Sequence, residues 1–150
     1  WALHRGGAVF IEDAEGVHVD KCEFTMLDGN ALFLSGRTRN VTISNSSFAY
    51  IGDNAMAAWG YTDALTTSSP RDNLPEGTGI DGRAGRQPRY TRVLSNIVRE
   101  IGLNERQSSA WSEAKACLSE VRGNLFFNMP RAAINKVGTY VLQFDPLVAC

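Results

Sequence analysis

The sequence predicts an all-β fold, a right-handed parallel β-helix of about four coils with one long inserted loop. Three observations predict it: a gap-free internal repeat, period-two alternation inside each repeat, and no helical stripe. Residues 16–36 lie over residues 40–60 at a shift of 24. Val19 then falls on Ile43, Phe24 on Phe48, Leu27 on Ile51 and Asn30 on Asn54. A further shift of 50 carries Ile43 to Val93, Phe48 to Val98, Ile51 to Ile101 and Asn54 to Asn104. One more, of 28, adds Val121, Asn124, Phe126 and Met129. A single coil of this length cannot bury its apolar face, whereas stacked coils can.

Each part of the chain follows from that register. Residues 7–60 hold the first coils, with alternating segments such as Val17-His18-Val19 and Val41-Thr42-Ile43, the period of a strand. Phe24, Phe48, Val98 and Phe126 form one large apolar column predicted to face inward. Cys22, Ser46, Asn96 and Asn124 form a small or amide-bearing column, in which Asn96 and Asn124 are placed to bond side chain to side chain. Asn30, Asn54 and Asn104 mark a turn, where asparagine tolerates the left-handed conformation. Residues 61–89 break the repeat with Pro70, Pro75 and Pro88 and the stretch Gly77-Thr78-Gly79-Ile80-Asp81-Gly82. A long aperiodic loop of this kind is either functional or disordered, and it is predicted to be the least ordered segment. The glycines match no nucleotide-binding pattern, because no strand-then-helix frame surrounds them. Coils resume over residues 90–135. From Lys136 the pattern stops, and Lys-Val-Gly-Thr is also what a splice-donor sequence spells, so residues 136–150 read either as a capping strand, Tyr140–Phe144, or as a read-through tail. With both ends of the stack open, residues 1–150 alone are expected to be marginally stable or to aggregate.

Composition narrows the function classes. Hydrophobic residues make up 43%, charged residues 21%, and the formal net charge is −1. That excludes a collagen-like or generally disordered chain and argues against a general nucleic-acid binder. No apolar run approaches the roughly 18 residues of a membrane span. Cys22, Cys117 and Cys150 show no metal-ligand spacing.

The stretches Leu27-Asp28-Gly29-Asn30-Ala31-Leu32-Phe33-Leu34-Ser35-Gly36 and Gly123-Asn124-Leu125-Phe126-Phe127-Asn128-Met129-Pro130-Arg131-Ala132-Ala133-Ile134-Asn135 carry a family resemblance. The chain resembles the right-handed parallel β-helix proteins of the pectin-lyase-like superfamily over residues 7–135. The resemblance implies the fold strongly and the reaction weakly, because this fold hosts lyases, hydrolases, esterases and adhesins. It implies a polysaccharide partner and an extracellular or cell-surface location. Calcium is implied by family analogy alone. It takes six to eight oxygens, and spacing brings no such set together here.

The sequence carries no strong catalytic signature. Asp53 precedes Asn54 and Glu105 follows Asn104 at the turn column, Arg131 falls in the column of Asp53 and Gly29, and Lys115 follows a predicted strand. If they converge on one face, a carboxylate and a cation there suit proton abstraction and leaving-group protonation. The same residues also suit a ladder of surface ion pairs. Trp59 and Trp111 are candidate platforms for sugar rings, or else core aromatics. Six arginines against two glutamates between Arg83 and Arg106, Arg99 and Arg106 among them, suit carboxylate or sulfate groups. The leading expectation is a domain that binds or cleaves an acidic polysaccharide by elimination or hydrolysis. The alternatives are a non-catalytic adhesion module and a truncated, inactive product. Asn40-Val41-Thr42 and Asn45-Ser46-Ser47 are glycosylation sequons, relevant to a secreted chain.

Overall fold

A computed structural model of the chain describes residues 4–61 and 85–137. The predicted disorder of the insertion, its glycine stretch, Arg83 and the tail beyond Val137 lie outside the described residues.

Thirteen strands build the described chain. They are β1 (Val9–Glu12), β2 (His18–Asp20), β3 (Glu23–Leu27), β4 (Leu32–Ser35), β5 (Thr42–Ser44), β6 (Ser47–Ile51) and β7 (Met56–Trp59). Beyond the insertion follow β8 (Arg92–Leu94), β9 (Ile97–Ile101), β10 (Trp111–Ala114), β11 (Glu120–Arg122), β12 (Leu125–Phe127) and β13 (Ile134–Val137). Every third strand stacks on its predecessor. Sheet I has the order β1-β4-β7-β10-β13, sheet II β2-β5-β8-β11, and sheet III β3-β6-β9-β12. All pairings are parallel. Four coils are thus complete, and β13 opens a fifth. The architecture is a parallel β-helix.

The register is the one the repeat predicts. Val19 pairs with Ile43, Ile43 with Val93, and Val93 with Val121. Phe24, Phe48, Val98 and Phe126 form one column, in which the Phe24 and Phe48 rings stack at 4.7 Å and 2°. Phe48 and Val98 are wholly buried, and Phe24 and Phe126 pack against the same core from the two ends.

Turns need an account of their backbone groups, and side-chain ladders supply it. Between sheets II and III, the Cys22 N–H donates to Ser46 Oγ at 3.0 Å, the Ser46 N–H to Asn96 Oδ1 at 3.0 Å, and the Asn96 N–H to Asn124 Oδ1 at 2.8 Å. Asn96 Nδ2 also reaches Asn124 Oδ1 at 3.0 Å, the predicted side-chain bond. Between sheets III and I the ladder runs the other way. The Asn54 N–H donates to Asn30 Oδ1 at 3.1 Å, and the Ser109 N–H to Asn54 Oδ1 at 2.8 Å.

That last contact corrects one column. Ser109, not Asn104, stands above Asn54. The connection from Ile101 to Trp111 is longer than the one from Ile51 to Met56, so Asn104 is pushed into an extra loop. There its Nδ2 donates to the Asp28 carbonyl at 3.1 Å. Lys136 and Val137 also stay in register, paired with Glu113 and Ala114, so the coil continues past the point where its sequence pattern stops. The insertion is pinned at its root: the Tyr61 N–H donates to the Arg86 carbonyl at 2.8 Å, and Gln87 Nε2 to the Tyr61 carbonyl at 2.6 Å.

Candidate functional site

Sheet I places the candidate residues at its two ends. At the start of its strands lies the corner of Asp53. Gly52 accepts the Asn104 and Glu105 N–H groups on its carbonyl, each at 2.9 Å, which folds the extra loop onto this corner. Ser108, at the end of that loop, donates its hydroxyl to Asp53 Oδ1 at 2.9 Å. Asp53 is nearly buried, and burial is the main cause that pushes its carboxyl above the usual 3.8. The Ser108 hydrogen bond opposes the shift, the Glu105 charge adds to it, and His4 opposes it again. Glu105 is half-buried and accepts the Gln107 N–H at 2.9 Å. Carrying the β10–β13 register back puts Arg131 level with Ser108 and therefore with Asp53. Arg131 is exposed there, as is Arg106 on the extra loop.

At the far end of the same strands lies a second corner, built around Arg5. Its guanidinium sits 4.2 Å from the ring centroid of Tyr61, 5.5 Å from Phe33 and 5.6 Å from Trp59. It donates to Ser35 Oγ at 2.6 Å and to the Trp59 carbonyl at 3.0 Å. Ser35 and Tyr61 in turn both donate to Glu12 Oε1 at 2.8 Å. Arg86 lies on the Tyr61 ring at 4.7 Å. Lys115 follows β10 in the left-handed region, φ 50°, half-buried beside this group. Gly60 lets the two coils close here, since a Cβ at that position would run into the Lys115 carbonyl. Burial, and then the Arg5 charge, lower the Lys115 ammonium from its ordinary 10.5. Among the described residues no carboxylate forms an ion pair with Lys115.

The structure therefore gathers Asp53, Glu105 and Arg131 at one corner and Trp59 and Lys115 at the other. Lys115 is level with Gly60, so at the usual strand rise the two corners stand about 20 Å apart. The expected convergence of all four candidate catalytic residues does not occur. The reason is geometric: one group precedes the strands of sheet I and the other follows them. Trp111 is wholly buried, its Nε1 bonded to Glu113 Oε2 at 3.0 Å, and it offers no face to a sugar. Trp59 is half-buried under Arg5. Arg99 is on sheet III, where it donates to the Tyr50 hydroxyl at 3.3 Å and lies over that ring.

Arg5 and Tyr61 escape sequence reasoning. Arg5 precedes the first repeat and has no column, and Tyr61 sits where the repeat stops. Trp59, one step inside the last repeat position, and Lys115, just after its strand, are the sequence signals of that corner. Among the described residues no group of three or more His, Cys, Asp or Glu side chains is placed to hold a metal ion. Among the described residues no helix is long and apolar enough to cross a membrane. No family model, no curated protein and no solved structure matches the chain.

Proposed function

We propose that the chain is a carbohydrate-active β-helix domain of the pectin-lyase-like kind, acting outside the cell on an acidic polysaccharide. The observation that carries this reading is the Lys115 corner. A half-buried ammonium faces the Arg5 guanidinium without a carboxylate partner among the described residues. Glu12, reached through Ser35 and Tyr61, is the one carboxylate described in this corner, so a further anion is still favoured beside Lys115, and a uronate carboxylate or a sugar sulfate supplies one. Arg86 adds a third cation at the edge. The Tyr61 ring serves here to carry guanidinium groups, leaving recognition to charge.

Hydrolysis is the reaction the other corner supports. Asp53 and Glu105 are neighbouring carboxyl groups, and the one raised by burial, Asp53, suits the acid of such a pair. In this reading Asp53 protonates the glycosidic oxygen and Glu105 activates water. Elimination is less well served, because Lys115 is far from both carboxyl groups. That same separation favours a second reading, an adhesion module that uses the cationic corner alone.

The test is calorimetric titration with polygalacturonate and with a neutral glucan. Lys115→Ala is expected to weaken polygalacturonate binding about tenfold, about 1.4 kcal/mol, and to leave the glucan unaffected. Equal binding by variant and wild type would remove the reading. Reducing-end release abolished by Asp53→Asn with binding intact selects the hydrolase. Binding without any release selects the adhesion module.

A further inference from the structure

The two sequons lie in coil 2, and the fold treats their asparagines alike. Asn40 and Asn45 flank the short strand β5, Thr42–Ser44, one at each end. Both are exposed, and both are in the left-handed region, with φ of 53° and 50°. They stand at corners where the chain turns from one sheet to the next, and their exposure puts these side chains on the outside of the coil. Neither amide belongs to the ladders that hold the turns. Asn40 Nδ2 donates to Glu15 Oε1 at 3.3 Å, and Asn45 Nδ2 to Asp20 Oδ1 at 2.8 Å. Each contact uses one of the two N–H bonds on its nitrogen. Replacing the other costs the fold nothing it depends on.

Neither sequon hydroxyl is tied up by a hydrogen bond the fold depends on. Thr42 Oγ1 has no hydrogen-bond partner, although it is nearly buried. Ser47 lies at the start of β6, half-exposed. Beside Asn45 opens a groove of about 250 Å³, lined by Lys21, Glu23, Ser47, Ser95 and Ile97 among others. Its volume suits the first sugar residue of an attached chain, with Ser47 and Ser95 on a largely apolar wall against which a sugar ring can lie.

We propose that Asn40 and Asn45 are both N-glycosylation sites, and that the glycan on Asn45 rests its first sugar in this groove. The donor is a polyprenyl-diphosphate-linked oligosaccharide. The bond formed joins Nδ2 to the sugar's anomeric carbon, the bond broken joins that carbon to the diphosphate oxygen, and one Nδ2 proton is lost to base. The inference shares with the proposed function only its extracellular location; it does not rest on the polysaccharide, since it concerns a different part of the coil and a different chemistry.

Secretion of the full chain behind a leader peptide from cultured eukaryotic cells tests it. Intact mass is measured before and after peptide N-glycosidase, and glycopeptides are mapped. The wild type is expected to carry two glycans. Thr42→Ala and Ser47→Ala are expected to lose one each, at Asn40 and Asn45 respectively, and both leave the left-handed asparagines in place. A secreted wild type at its unmodified mass overturns the proposal. Occupancy at one asparagine only overturns it for the other. For the groove, Ser95→Trp fills the space and is expected to push the first sugar out, speeding release of the Asn45 glycan from the native protein several-fold or more against wild type. Unchanged release would leave the first sugar outside the groove and overturn that part.

Discussion

Asp53 shows how one residue's burial becomes a stability profile. Its carboxyl is raised in the folded chain, chiefly by burial. The folded state therefore holds this proton more tightly than the unfolded state does. Linkage then makes stability fall as pH rises from the ordinary 3.8 through the raised value, and the penalty is complete above it. An asparagine at this position cannot ionise and can still accept the Ser108 hydroxyl. Asp53→Asn is thus expected to match wild type in acid and to exceed it at neutral pH. Urea midpoints across pH 3 to 8 check this. A variant less stable than wild type at neutral pH would mean that the carboxylate has a partner stronger than Ser108.

At the level of elements, what was legible was whatever repeats as a hydrophobic side chain. Phe24, Phe48, Val98 and Phe126 announce their column because burial demands large apolar groups at every level. The corners are less legible because their requirement falls on the backbone. Lys21, Asn45, Ser95 and Gly123 share one left-handed column, and Met26, Tyr50, Glu100 and Asn128 share another. Only asparagine and glycine advertise that conformation. Lysine, methionine, tyrosine and glutamate accept it here because the stacked strands on either side fix the turn. The extra loop before β10 was hidden for a related reason. Asn104 offered a match in residue type, and only the hydrogen bond from Ser109 to Asn54 shows which residue holds the column. The ladder itself makes a sharp prediction. Asn96 accepts the Ser46 N–H and donates to the Ile43 carbonyl at 3.0 Å, and it is buried. Asn96→Leu keeps the volume and strands both groups. Each buried unsatisfied group costs about 1–3 kcal/mol, so the loss is expected to be on the order of 3 kcal/mol. Chemical denaturation measures it, and a loss below about 1 kcal/mol would mean that water replaces the amide.

Across the whole molecule, the decisive fact is that sheet I separates its two corners. A solenoid couples neighbours through shared strands and hydrogen bonds, and contact does not carry further than that. Charges about 20 Å apart are also beyond the screening length of about 8 Å at physiological salt. Asp53 and Lys115 share no partner: one is held by Ser108 and faces Glu105, while the other faces Arg5. The stability changes of Asp53→Asn and Lys115→Ala are therefore expected to add, with the double variant within about 0.5 kcal/mol of the sum. Denaturant unfolding of the four proteins closes this cycle without any ligand. Adding polygalacturonate then asks a different question. A polysaccharide long enough to touch both corners links them physically, and a coupling that is absent in the free chain would emerge only with long oligomers. A coupling of 1 kcal/mol or more in the free protein would instead place the two groups in one site, and the division of labour between a cationic corner and an acidic one would fail.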